Sequence, residues 1–253
     1  MVSKFVWYDV MTTDVPAAER FYSAVVGWKT MDSGLPGPVY KLILNGDIQV
    51  GGIMPVPEDA KGMPPVWMGY IGVDNVDEYA KKVKDAGGAI YREPADIPGV
   101  GRFAVAADPH GAGFILFQGS VGATPVEVPF MAKGHIGWNE LHAGNYEEAF
   151  AFYSKLFGWT HDASNDMGPF MYHTFKTGGE MASGGMMTKM DSDPTPHWNY
   201  YFSVGDIDAA VQRVTDNGGQ VLMPAMEVPG GAWIAPCTDP QGANFNLIGN
   251  RVN

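Results

Sequence analysis

Cationic residues, cysteines and long apolar runs are all scarce in this chain, and each scarcity removes a class of function. Lys and Arg total 16 against 28 Asp and Glu, a formal charge of −12, and no run of Lys or Arg concentrates positive charge. A surface of that sign repels phosphate backbones and anionic lipid, so neither nucleic acid nor a membrane surface is expected as a partner. The single Cys237 cannot close an internal disulfide, and with no His in its hairpin it reads as an inert thiol rather than a nucleophile. No stretch approaches the ~20 apolar residues that a bilayer span requires. Residues 1–9 lack the apolar run of a signal peptide, and the expectation is a cytoplasmic protein. A glycine-rich phosphate loop, a Cys-x-x-Cys pair and a Ser-centred elbow are also missing. With 45% hydrophobic and 17% charged residues, the chain is too apolar for disorder and has material for two ordinary cores.

What is present is a repeat. Phe21-Tyr22-Ser23-Ala24-Val25-Val26-Gly27-Trp28 recurs as Phe152-Tyr153-Ser154-Lys155-Leu156-Phe157-Gly158-Trp159, an offset of 152 − 21 = 131. The same offset carries Trp7 onto Trp138, Asp9 onto Glu140, Trp67 onto Trp198, Asp77 onto Asp208 and Asp108-Pro109 onto Asp239-Pro240. Two copies with almost no net insertion predict one fold used twice. The division expected is a module at 1–118, a linker at 119–134 and a module at 135–253.

Each copy opens with a strand, 4–11 or 134–142, in which alternation places Trp7, Asp9 and Met11, or Trp138, Glu140 and His142, on one face. Asp14 and Asn145 are placed to cap the helices that follow, and Gly27 and Gly158 to stop them. Strands are expected at 39–44 and 48–55, and at 170–176 and 180–188, with Gly51-Gly52 and Gly184-Gly185 marking a bulge or a close backbone approach. A second strand then leads to a helix opened near Asp77 or Asp208, and two more strands flank Asp108-Pro109-His110-Gly111 or Asp239-Pro240-Gln241-Gly242, turn sequences by composition. Strand, helix and three strands therefore occur twice per copy. The fold class is α+β, four βαβββ units paired into two modules with curved mixed sheets.

These features together resemble the vicinal-oxygen-chelate superfamily, which includes glyoxalase I, extradiol dioxygenases and bleomycin-resistance proteins. The residues that carry the resemblance are Asp14 with Phe21-Tyr22 and Gly27-Trp28, Val204-Gly205-Asp206-Ile207-Asp208 before the last helix, and the Asp-Pro-x-Gly turns, in both copies. The resemblance implies a cleft within each module, where enzymes of the family hold a divalent metal that polarises neighbouring substrate oxygens. It places the ligand positions at Trp7, Met68 and Ile115 in copy one, and at Trp138, Asn199 and Asn246 in copy two. None of these is a His or a carboxylate, so no cofactor is the first expectation.

Two readings of the polar residues stay open. In one, ligands are displaced, and Glu140, His142 and His197 hold a divalent metal (Zn, Ni, Fe or Mn) for glyoxalase-like lyase or dioxygenase chemistry. In the other, these are solvated strand-end and rim residues. Asp9 and Glu140, an acid at one cleft-facing position in both copies, are candidates for a general base or a ligand anchor, because a carboxylate on a partly apolar face is costly unless paired or used. The alternative is a carboxylate that caps backbone N–H groups. Trp7, Trp67, Trp138 and Trp198, with Asn199 and Asn246, are the candidate ligand-binding set, although Trp equally fills cores. Met167, Met171, Met181, Met186, Met187 and Met190 suit core slightly better than a binding surface. His173 and His110 read as ordinary strand and turn residues. The expected function is binding of a small organic molecule, by a monomer or weak dimer; a signalling or interaction role is the weaker alternative.

Overall fold

The computed structural model describes residues 2–120 and 128–252. Copy one runs β1 (Phe5–Thr12), α1 (Val15–Val26), β2 (Lys29–Asp32), β3 (Lys41–Asn45) and β4 (Ile48–Pro55), then β5 (Val66–Gly72), α2 (Val76–Asp85), β6 (Ala89–Ile97), β7 (Gly101–Ala107) and β8 (Gly113–Gly119). Copy two runs β9 (Ile136–Ala143), α3 (Tyr146–Phe157), β10 (Thr160–Asp166), β11 (Met171–Lys176) and β12 (Gly184–Thr188). It continues with β13 (His197–Asp206), α4 (Ile207–Asp216), β14 (Gln220–Val221), β15 (Met226–Glu227), β16 (Trp233–Thr238) and β17 (Asn244–Asn250). The strand–helix–three-strand unit occurs four times, with β15 added to the last.

Each copy contributes one curved mixed sheet, in the orders β2-β3-β4-β1-β5-β8-β7-β6 and β10-β11-β12-β9-β13-β17-β16-β14. The fold is α+β as the pattern predicts. Part of the segment expected to link the copies, residues 121–127, lies outside the described residues, while Gly119 belongs to β8. No helix of the described residues is long and apolar enough to cross a membrane.

The first helices form where the caps require. Asp14 accepts the Ala17 N–H and Asn145 the Glu148 N–H, each satisfying a donor that the helix leaves unpaired. Gly27 and Gly158 end these helices at φ 91° and 72°, the left-handed conformation that only glycine adopts without strain. The second helices open two residues earlier than expected, at Asn75 and Asp206. Asp77 and Asp208 instead receive paired hydrogen bonds from Arg102 and Arg251.

Within the described residues the chain packs into two compact units. Unit 1 comprises 2–7, 68–120 and 139–198; unit 2 comprises 8–67, 128–138 and 199–252. Each therefore joins half of one copy to half of the other, and the repeated motifs supply the reason. In unit 2, Tyr22 donates to Asp239 Oδ2 at 2.9 Å and accepts Trp67 Nε1–H at 2.8 Å. Unit 1 has the matching chain, in which Tyr153 donates to Asp108 Oδ2 at 3.4 Å and accepts Trp198 Nε1–H at 3.0 Å. The tyrosine of each Phe-Tyr pair thus reaches the Asp-Pro turn of the other copy. Burial holds both aspartates above the usual carboxylate range, against the backbone N–H groups that Asp108 and Asp239 accept. The tryptophan that closes the motif does similar work: Trp28 Nε1 donates to Gly134 O, and Trp159 Nε1 to Ser3 O, both at 2.7 Å.

Around these bonds the aromatic cores close. In unit 2, Phe202 packs against Trp28, Trp67 and Phe245, with ring centroids 4.8–5.5 Å apart. In unit 1, Trp159 stacks on Phe175 and Tyr153 at 4.7 and 5.1 Å. Burying each such ring contributes roughly 1.5–3 kcal/mol.

Candidate functional site

The site is built on β9, where alternation presents Glu140 and His142 on one face. β12 lies parallel beside it, with Gly185 opposite Glu140 and Met187 opposite His142. Gly185 has no side chain because Tyr172 of β11 occupies that space: a Cβ built there would overlap the tyrosine hydroxyl. The hydroxyl donates to Glu140 Oε2 at 2.7 Å, and His142 Nε2 meets Glu140 Oε1 at 3.1 Å. The other ring nitrogen of His142, Nδ1, meets Asp193 Oδ2 at 2.8 Å. All of these residues belong to unit 1.

A histidine flanked by two carboxylates favours the imidazolium. Burial opposes the charge on His142, but the hydrogen bonds and charges of Glu140 and Asp193 outweigh it and hold the ring above its usual range. Asp193 shows the complementary effect: burial would raise it, and His142 draws it below the usual carboxylate range. His197 lies with its ring 4.8 Å from that of His142, and its Nδ1 meets Thr195 O at 2.9 Å. Burial, and then the neighbouring His142, hold His197 low, against the carbonyl of Thr195. Asp193 sits in the segment after β12, where Lys189 Nζ donates to its carbonyl at 2.8 Å, so side chain and backbone of this loop are both tied down. The resulting chain, Asp193–His142–Glu140–Tyr172, offers a fixed acceptor and a hydrogen-bonded route for a proton.

Unit 2 contains a matching pair of acid and tyrosine. Asp9 of β1 lies opposite Gly52 of β4, and Tyr40 donates to Asp9 Oδ1 at 2.7 Å. A Cβ at Gly52 would overlap the Tyr40 hydroxyl and come within 2.6 Å of Asp9 Oδ1. Asp9 is 1% exposed and Glu140 8%, so both acids are buried where an uncompensated carboxylate would be costly. Both expected acids therefore sit in organised environments.

The other expected residues are distributed more widely. Trp67 and Trp198 are core residues, 3% and 7% exposed, with their indoles committed to Tyr22 and Tyr153 rather than presented as an open slot. Trp7 and Trp138 are half-buried on β1 and β9. Asn199 is half-buried on β13, and Asn246 is buried on β17 opposite Tyr201. Of the six methionines, only Met186 and Met187 are core; Met167, Met171, Met181 and Met190 are exposed. Cys237 is fully buried, and burial pushes its thiol up to about 12.

Sequence reasoning missed Tyr40, Tyr172 and Asp193. The tyrosines lie 132 residues apart and the partner glycines Gly52 and Gly185 lie 133 apart, off the 131-residue offset, so a search at fixed offset passes over them. The usable signal was a tyrosine in, or one residue before, the strand preceding each Gly-Gly pair.

The donor set does not fit a family-type metal. Ile115 and Asn246 are buried at two implied ligand positions and neither supplies an imidazole or carboxylate. Among the displaced candidates, His142 has both nitrogens engaged by carboxylates. Among the described residues no group of three or more His, Cys, Asp or Glu is placed to hold a metal ion.

The class defined by fold and repeat is confirmed by comparison. The family model described as Glyoxalase/Bleomycin resistance protein/Dioxygenase superfamily matches residues 4–116 and again 134–247. The chain belongs to that superfamily. It is 37% identical over 248 residues to the Mycobacterium tuberculosis protein named "Putative glyoxylase CFP32", across 96% of this chain and 93% of that one. It is 30% identical over 257 residues to the "Anthracycline biosynthesis protein DnrV" of Streptomyces peucetius, across 96% and 91%. Among solved structures, the Mn(II)-bound glyoxalase from Novosphingobium aromaticivorans superposes with a TM-score of 0.67 at 16% identity, covering 99% of this chain and 83% of that one. This last likeness is one of fold.

Proposed function

We propose that this chain binds a small organic molecule at the Glu140–Tyr172–His142 group, with Glu140 as anchor or general base and without the family's metal triad. The observation that carries the reading is a buried carboxylate held by two donors, Tyr172 and His142, with Asp193 on the far side of the histidine. A carboxylate oriented in this way is a preorganised acceptor for a ligand hydroxyl or amine, and the cost of ordering it is met during folding. The similarity to a protein named for anthracycline biosynthesis supports a flat, hydroxylated aromatic as the ligand class.

The test is a fluorescence titration with 1,4-dihydroxyanthraquinone as probe. The wild type should bind it, Glu140→Gln and Tyr172→Phe should weaken binding roughly tenfold to a hundredfold, the range of a charge-assisted hydrogen bond, and EDTA should change nothing. Unchanged affinity in both variants would sink the assignment. Affinity that EDTA abolishes would favour the second reading, a divalent-metal lyase or dioxygenase with displaced ligands, which the fold of the Mn(II)-bound glyoxalase supports.

A further inference from the structure

On the face of β11 opposite Tyr172 lies a second histidine cluster, which plays no part in the site above. Ser164 of β10 pairs with His173 of β11. Its Oγ is 2.8 Å from His173 Nδ1 and 2.9 Å from His161 Nε2, so two imidazole nitrogens converge on one hydroxyl. In a regular strand, residues three apart face opposite ways. The β-bulge between His161 and Ser164 removes that alternation and turns both side chains to the face of His173.

The arrangement is held from behind. Ala163 N–H donates to Thr174 Oγ1 at 3.1 Å, Thr174 donates to Asp162 at 2.9 Å, and Lys176 pairs with Asp162 at 2.7 Å, fixing the bulge against β11. Helix α3 supports the rings: Tyr146 stacks on His173 with centroids 3.5 Å apart and planes 6° apart, and Phe150 meets His161 edge-on at 6.2 Å. Burial, and then the neighbouring His161, hold His173 below the usual imidazole range, against Glu147. Copy one has no histidine in β2 or β3.

We infer that His161 Nε2 and His173 Nδ1, with Ser164 Oγ or a water in its place, form a surface site for a divalent transition-metal ion, Cu2+ first of all. Both nitrogens already point at one atom, Ser164 Oγ. The preference for imidazole and the stability order of divalent ions both favour Cu2+.

The experiment is Cu2+ titration of the tag-free chain by calorimetry, with electron paramagnetic resonance of the product. The expected result is one Cu2+ per chain with nitrogen hyperfine structure from two imidazoles. His161→Ala and His173→Phe should each weaken binding at least tenfold; the phenyl ring preserves the stack on Tyr146, and circular dichroism checks that both variants fold. His142→Ala should bind as the wild type does, and Zn2+ should bind more weakly than Cu2+. Binding that survives in the double variant, binding lost in His142→Ala, or no Cu2+ uptake by the wild type would each overturn the inference. Because the probe and the variants differ from those of the anthraquinone titration, either proposal can fail without the other.

Discussion

Asp9 with Tyr40 and Gly52, and Glu140 with Tyr172 and Gly185, are two versions of one construction, and their difference is instructive. Both bury a carboxylate on the first strand of a copy, both satisfy it with a tyrosine hydroxyl, and both need a glycine so that the tyrosine can reach. The second is extended through a histidine to a second acid. At the place of His142 copy one has Met11, and the loop after β4 begins a short turn at Glu58–Ala60, whereas the loop after β12 contributes Asp193 to His142. The shared part is what the sheet requires to bury an acid there; the added charges in copy two are what we assign to ligand binding.

The comparison can be tested most severely at the glycines. A Cβ at Gly51 would overlap the Tyr8 carbonyl, and one at Gly184 the Asn139 carbonyl, in both cases backbone that cannot move aside. Gly51→Ala and Gly184→Ala should each cost about 3 kcal/mol or more in urea unfolding. A smaller loss, about 2 kcal/mol, is expected for Tyr22→Phe, which leaves Asp239 without that donor and Trp67 without that acceptor. Tyr153→Phe should cost less, since its bond to Asp108 is the longer at 3.4 Å. The same urea measurement on both variants orders them.

Tyr40→Phe should destabilise by about 1–2 kcal/mol, and Tyr172→Phe by less, because Glu140 is slightly more exposed and keeps His142. Equal losses would show that the histidine does not share in holding the acid. His142→Met, which writes the copy-one residue into copy two, should cost about 1 kcal/mol near neutral pH. His142 is raised in the folded state, so its contribution is full below the ordinary imidazole range and is lost as pH rises through its folded value. Asp193 is lowered, so its contribution is full above the ordinary carboxylate range and is lost as pH falls through its folded value. The wild-type advantage over His142→Met should therefore vanish at both extremes, as melting curves across pH would record. The smallest effect is expected at Cys237: with its thiol pushed up to about 12, a disulfide reagent at pH 8 should label it only after denaturant is added.

Much of this was legible in the residues, for local reasons. The glycine stops at Gly27 and Gly158 follow from backbone freedom, and the close approach foreseen at the Gly-Gly pairs is the contact of Gly51 and Gly184 with neighbouring carbonyls. The acids Asp9 and Glu140 stood out because alternation put them on a buried face. The methionines of copy two were less legible, since a flexible thioether suits core and surface alike, and four of the six are exposed. Tyr40 and Tyr172 escaped because small insertions break the fixed offset.

The chain's own order of residues was enough to establish two copies, four βαβββ units and the superfamily, because turns, caps and alternation are local and are written twice. It could not say which copy's Asp-Pro turn each Phe-Tyr pair would reach, since both turns carry the same residues and offer the same bond. Only the tertiary structure decided that Tyr22 reaches Asp239 and Tyr153 reaches Asp108. The same is true of Asp193 and His142, 51 residues apart, and of the bulge that brings His161 and His173 onto one hydroxyl. Interactions between distant segments depend on how whole sheets and helices pack, and a repeated local pattern carries no record of that choice.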